Sequence, residues 1–327
     1  MAQARLRSSF IYLANAVNDL RGNWALLAAM LAPLVLASSL ALLPESVNIQ
    51  HRLAQAIEGG GQSISFVPAQ TRMMPDVSKP SESDVFPQWS IYVLNAVGLV
   101  FAIAVGLVVL VGLARMRAGE RTRNLIGEVI EVYRRSIRLA PSFFWIAFLQ
   151  LIAPLIAGLS LAFGVTTDEP WLFASVNVGR FALLVFAAIV YLWLYFAKYA
   201  LIFNGHKSLH ALLFSRDLLR HRFVAVALRI AVFLALWSGY NSWSFGGLFF
   251  VSRLLGSAAA AAGFVWTTVM FLNLVGVGIS YATVAFFIAA SLRLYEDLGG
   301  LLTSQVAVPP STDAAMSATA PLASSQG

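Results

Sequence analysis

Residues able to bind a metal, move a proton or hold an anion are few in this sequence, and they are scattered. The histidines are His51, His206, His210 and His221. His206 and His210 stand four apart, the spacing at which two imidazoles on one helix share a metal ion. If 204–222 is one helix, Asp217 and His221 extend the same stripe, but two turns separate the pairs, too far for one ion. The stripe therefore reads as a solvated face, and no metal or cofactor is expected. There is no cysteine, which removes disulfides, thiolate metal sites and thiol nucleophiles. No HExxH, GxxxxGK or GxSxG pattern occurs. The close acid pairs, Glu82 with Asp84 and Asp168 with Glu169, have no neighbour that would make one an acid and the other a base. No enzyme is expected.

The remaining polar chemistry lies among apolar residues. Of 327 residues, 59% are hydrophobic and 11% charged, where a soluble domain carries about 25% charged residues. Mean hydropathy is +0.77. Two cations, Lys198 and Arg229, fall within long apolar blocks, each close enough to a block's end to reach the headgroups, with contact to an anionic substrate as the alternative. Asn95, Gln150, Asn241 and Asn273 fall there too. Such amides bridge helices for about 0.6–2 kcal/mol each, or they line a polar path. All 15 acidic residues lie in connections, block ends or amphipathic stretches, which argues against proton coupling.

The elements that position these residues are six apolar blocks of membrane-spanning length, Trp24–Leu43, Ile91–Ala114, Phe143–Phe163, Phe181–Phe203, Phe223–Val251 and Ala260–Leu292. The fifth is overlong and is expected to break at Gly239–Gly247. The sequence thus predicts an all-α, six-span membrane domain over 1–298. An outer loop covers 44–88, with a short helix at Val47–Ile57, and a disordered tail covers 299–327. Sixteen of the 22 cations fall on one side of this arrangement, five on the other, and Arg229 inside a span. Positive charge marks the cytoplasmic side, so both termini are expected inside. The net charge of +7 then reflects topology, and nucleic acid is not an expected partner.

Three amphipathic stretches precede spans through similar junctions, Leu20–Trp24, Leu139–Phe143 and Leu219–Phe223, each opening on leucine and closing on an aromatic residue. In the first, Leu6, Phe10, Leu13, Val17 and Leu20 share a helical face. In the second, Leu125, Ile126, Val129, Ile130, Tyr133 and Ile137 oppose Asn124, Glu128, Glu131, Arg135 and Arg138. The third runs from Ser208 to His221. Together they predict three repeats of interfacial helix plus transmembrane hairpin. The basic residues Arg134, Arg135, Arg138, Arg216, Arg220 and Arg222 would then meet anionic headgroups of the inner leaflet. Small residues at Gly98, Ala102 and Gly106, and at Gly278, Ala282, Ala285 and Ala289, predict close helix packing.

The segment Phe196-Ala197-Lys198-Tyr199 through Asn204-Gly205-His206-Lys207-Ser208-Leu209-His210-Ala211-Leu212 to Ser215-Arg216-Asp217-Leu218-Leu219 resembles a group of bacterial six-span membrane proteins. These are similar to the membrane domain fused to some glycerophosphodiester phosphodiesterases and to YciC-like inner-membrane proteins. Leu292-Arg293-Leu294-Tyr295-Glu296-Asp297-Leu298 resembles that group's closing motif. The resemblance implies fold and a bacterial inner-membrane location. With no phosphodiesterase domain in the chain, it implies no hydrolase activity. The expected function is a non-enzymatic, lipid-associated envelope protein. A permease component, or an assembly factor for another membrane complex, is the alternative.

Overall fold

The computed structural model describes residues 6–58, 86–119, 124–162, 170–240 and 265–301. Among them are nine helices and no strand. These are α1 (Ser9–Arg21), α2 (Trp24–Glu58), α3 (Gln88–Ala118), α4 (Leu125–Ala162), α5 (Pro170–Trp193), α6 (Ala197–Phe203), α7 (Ser208–Leu219), α8 (Phe223–Tyr240) and α9 (Val265–Asp297). Six segments are long and apolar enough to cross a bilayer, Trp24–Asn48, Tyr92–Ala118, Leu125–Ala157, Val176–Phe203, Phe223–Tyr240 and Thr267–Asp297, which suggests a multi-pass integral membrane protein. The tail beyond 301, most of the expected outer loop and the expected break at 239–247 lie largely outside the described residues.

Helices α2, α3 and α9 pack on one another, α1 lies along α9, and α4 joins α3 to α5 and α6. Small residues permit the close approaches. Ala285 and Ala289 of α9 are buried, and a Cβ on Gly106 would be in ordinary contact with both Phe143 and Ile288. Closer still is the contact between α3 and α2 at Gly112, where a Cβ would come within 2.7 Å of the Met30 methyl. Three glycines follow helices in the left-handed region that disfavours a side chain, Gly119 after α3 at φ 70°, Gly205 after α6 at φ 66° and Gly299 after α9 at φ 88°.

Charge gathers where α1, α3 and α9 end. Arg293 donates to both carboxylate oxygens of Asp19, at 2.8 and 2.5 Å, and to Glu296 at 3.2 Å. Arg117 pairs with Glu296 and, at 3.7 Å, with Asp19. Tyr12 donates to Asp297 at 2.9 Å and accepts the Arg7 N–H at 3.1 Å. Burial and that carboxylate push the Tyr12 hydroxyl up to about 12, so it stays a donor at physiological pH. Arg115 and Glu128 form a forked pair, at 2.8 and 3.3 Å, whose side chains are only 8% and 7% exposed.

The structure departs from the sequence reading in four places. The segment Val47–Ile57 is no separate helix, since α2 continues through Pro44 to Glu58. Proline there removes one backbone donor without ending the helix. The junction Leu139–Phe143 is likewise helical, so the second amphipathic stretch is the first turns of the 38-residue α4 and not a separate interfacial helix. At about 1.5 Å per residue, α4 is ~57 Å long, well beyond a hydrocarbon core of ~30 Å. Its expected apolar face divides, with Val129 and Tyr133 packed on the core. Glu128, Val132 and Ser136 are buried, while Ile126, Ile130 and Ile137 form an exposed stripe, Ile137 at 71%. Glu128 meets Arg115 and Tyr133 donates to the Met30 carbonyl at 2.7 Å, which turns these two inward and leaves the three isoleucines outward.

In α1 the expected apolar face divides. Leu6, Leu13 and Leu20 pack on the core beside Tyr12 and Ala16, whereas Phe10 (72%) and Val17 (50%) are exposed. Finally, the fourth span is interrupted at Leu194–Phe196, between α5 and α6. The other two junctions, around Gly22-Asn23 and Arg220–Arg222, are turns as expected.

Removing one member of a buried ion pair strands the other, at a cost of about 3–5 kcal/mol. Glu128→Gln or Arg115→Met should therefore lower thermal stability in detergent strongly, and the double replacement Arg115→Met with Glu128→Leu should recover most of the loss. Additive losses in the double variant would show that the pair does not hold α3 to α4.

Candidate functional site

The α5–α6 interruption frees backbone groups that must find partners. Ser215 of α7 supplies them, its hydroxyl accepting the Phe196 N–H at 3.1 Å and donating to the Trp193 carbonyl at 2.6 Å. α7 is thereby tied to the interruption. On its far side, Tyr195 exchanges a 2.7 Å hydrogen bond with Ser291, and Tyr199 donates to the Ile288 carbonyl at 3.2 Å. Asn204 donates to the Tyr295 hydroxyl at 3.0 Å and the Gly300 carbonyl at 2.9 Å. The rings of Phe196, Tyr199 and Tyr295 lie 5.5–5.7 Å apart. The two segments 196–219 and 292–298, distant in sequence, thus pack directly on each other.

Two concavities flank this junction. The first, about 370 Å³, lies between α3, α4, α5, α6, α8 and α9, and is mostly apolar, with Phe143, Phe233, Phe287 and Ile288 in its wall. Its polar groups are Gln150, Tyr191, Tyr195, Lys198 and Tyr199. The Lys198 Nζ stands 5.9 Å from the Phe143 ring centroid. Gln150 is 1% exposed, and its Nε2 has no hydrogen-bond partner.

The second concavity, about 580 Å³, is a cleft lined by Ile189 and Trp193 of α5, Arg216 of α7, Arg220 just after it, and Phe223 of α8. Trp193 and Phe223 meet edge to face at 6.4 Å. Leu209, Leu213, Arg216 and Arg220 follow i, i+4, i+7, i+11 spacing, so an exposed apolar stripe leads into the two cations.

The residues singled out by sequence separate accordingly. Arg216 and Arg220 share the cleft. Arg216 has a partner in Asp217, 3.5 Å away, and both are exposed. Arg222 does not line the cleft. Arg134, Arg135 and Arg138 are on the first half of α4, where Arg134 pairs with Glu131 at 3.7 Å. Among the intramembrane polar residues whose side chains are described, only Gln150 and Lys198 come together. Arg229 donates instead to the carbonyls of Leu6, Arg7 and Ala225 at 3.1, 2.9 and 2.6 Å, so it anchors the N-terminal segment. Asn273 accepts from the Ser46 hydroxyl at 2.9 Å between α9 and α2. Asn241 lies outside the described residues, as does the side chain of Asn95. His206 precedes α7 and packs on Phe214 at 5.1 Å, so it does not share a helix with His210.

Sequence reasoning missed Tyr191, Tyr195 and Tyr199. Their signal was present, because with Lys198 they keep i, i+4, i+7, i+8 spacing inside one span. The role of Ser215 left no such trace, since it depends on a helix interruption that no glycine or proline marks. Comparison with protein-family models, curated proteins and solved structures returns no match.

Ser215→Ala should expose the cost of the interruption. Losing both of its hydrogen bonds leaves a buried N–H without a partner, worth about 1–3 kcal/mol, which a thermal-shift measurement in detergent will read as a clear destabilisation. A variant as stable as the original would show that Ser215 does not secure the break.

Proposed function

We propose that the protein is a non-enzymatic, multi-pass protein of a bacterial inner membrane that associates with anionic phospholipid of the cytoplasmic leaflet. The observation that carries this reading is the Arg216–Arg220 cleft. It combines two cations, an aromatic pair and an apolar wall at the end of the bundle where the other charges gather. A phospholipid has the matching parts, a phosphate for the guanidinium groups and acyl chains for Ile189 and Trp193. The exposed stripes of α1, α4 and α7 favour the same contact. Each presents large apolar side chains beside basic ones, Val17 near Arg21, Ile130 near Arg134, and Leu213 near Arg216. The motifs at 196–219 and 292–298 are what suggest the bacterial inner membrane.

Native mass spectrometry of protein released from mixed phosphatidylglycerol and phosphatidylcholine nanodiscs tests the cleft. Retained phosphatidylglycerol should exceed its bulk share, and Arg216→Ala with Arg220→Ala should cut that enrichment by about tenfold, the loss of charge-assisted hydrogen bonds to phosphate. Retention at the bulk ratio, or an unaffected double variant, would refute the reading.

A further inference from the structure

The 370 Å³ cavity has a surplus of hydrogen-bond donors and no negative charge to meet them. Lys198 brings an ammonium group, with three donors and no acceptor. Among the described residues it has no carboxylate partner, only the Phe143 ring. Gln150 is buried against the same space with its Nε2 unpaired. Tyr191 lines it too, and its hydroxyl makes no hydrogen bond with the described residues, whereas Tyr195 and Tyr199 are engaged by α9. A lone cation and a lone amide donor facing one apolar space are costly unless something supplies an anion there. Elsewhere the bundle pairs its interior cations, Arg115 with Glu128 and Arg229 with three carbonyls. Lys198 departs from that pattern.

The occupant must therefore carry an oxyanion and be apolar otherwise. At about 30 Å³ per non-hydrogen group, the liquid volume of a water molecule, the space of about 370 Å³ takes roughly a dozen groups. That suits one acyl chain and not a diacyl lipid. Leu151, Leu234 and Trp237 belong both to the cavity wall and to the exposed apolar surface, so the cavity reaches the face a lipid-borne ligand would approach. We infer that the cavity binds a single-chain anionic amphiphile, its oxyanion held by Lys198 and Gln150 and its chain lying against Phe233, Phe287 and Ile288. The cleft occupies the other side of α5 and uses different residues, so this inference does not rest on the proposed phospholipid contact.

The full chain in phosphatidylcholine nanodiscs, titrated with dodecanoate, dodecyl phosphate, dodecanol and dodecyltrimethylammonium and followed by native mass spectrometry, tests it. One copy of an anionic probe should bind in preference to the alcohol and the cation, and the stronger of the two anions identifies the head as carboxylate or phosphate. Lys198→Met and Gln150→Leu should each weaken binding about tenfold or more. Lys198→Arg should retain it, and Arg216→Ala with Arg220→Ala should leave it unchanged. Lys198→Met should also melt no lower than the original chain in the absence of ligand, because it removes an unpaired charge. Equal binding of the alcohol, full binding by Lys198→Met or Gln150→Leu, or loss of binding in the cleft variant would each overturn the inference. A destabilised Lys198→Met would mark Lys198 as a packing residue and overturn it as well.

Discussion

Arg293, near the end of α9, holds Asp19 of α1 while sharing Glu296 with Arg117 of α3. Two cations and two carboxylates from three helices neutralise one another in this group. Charge near hydrocarbon must be compensated or kept in water, and the bundle meets that constraint here by pairing these ions with one another at the helix ends. Tyr12 with Asp297, and Arg115 with Glu128, extend the same arrangement. It fixes how α1 lies along α9 and how α4 leaves α3, and so places the first half of α4 in the bundle. The helices whose apolar stripes face outward are held in place by the polar contacts on their inner sides.

The division of the α4 face shows which parts of the fold could be read in the sequence. Span number follows from apolar run length, and the six segments of membrane-spanning length bear this out. The face of an amphipathic helix that turns inward does not follow from its pattern alone. The same alternation in α4 serves a helix floating at an interface or one that buries a single acid, Glu128, against a neighbour. Only Arg115, thirteen residues before Glu128, decides between them, and the sequence does not announce that pairing. Likewise, leucines in and just before α1 recur every seven residues, and the structure packs Leu6, Leu13 and Leu20, half-buried, on the core while exposing Phe10 and Val17 between them. The breadth of the apolar face hid that division.

The site was legible in fragments. Lys198 and Gln150 stood out as polar residues inside spans, and Arg216 and Arg220 as basic residues beside one. What joins them is the interruption after Trp193, secured by Ser215, which has no local signature. Through it, one stretch of chain presents Ile189 and Trp193 to the cleft, and Tyr191, Tyr195 and Lys198 to the cavity. Asn273 and Arg229, equally conspicuous in sequence, are engaged in contacts between segments and line neither concavity.

Whether the basic end faces the cytoplasmic leaflet decides what its cations meet, and labelling of single cysteines measures that directly. The chain has no cysteine of its own, so any introduced thiol is unique. Lys207→Cys sits at the basic end beside α7, and Ser78→Cys lies in the sequence joining α2 to α3. In intact bacterial spheroplasts, a membrane-impermeant maleimide should modify Ser78→Cys at once and Lys207→Cys only after the membrane is permeabilised. Labelling of Lys207→Cys in intact spheroplasts, with Ser78→Cys protected, would place the basic end outside and contradict the account.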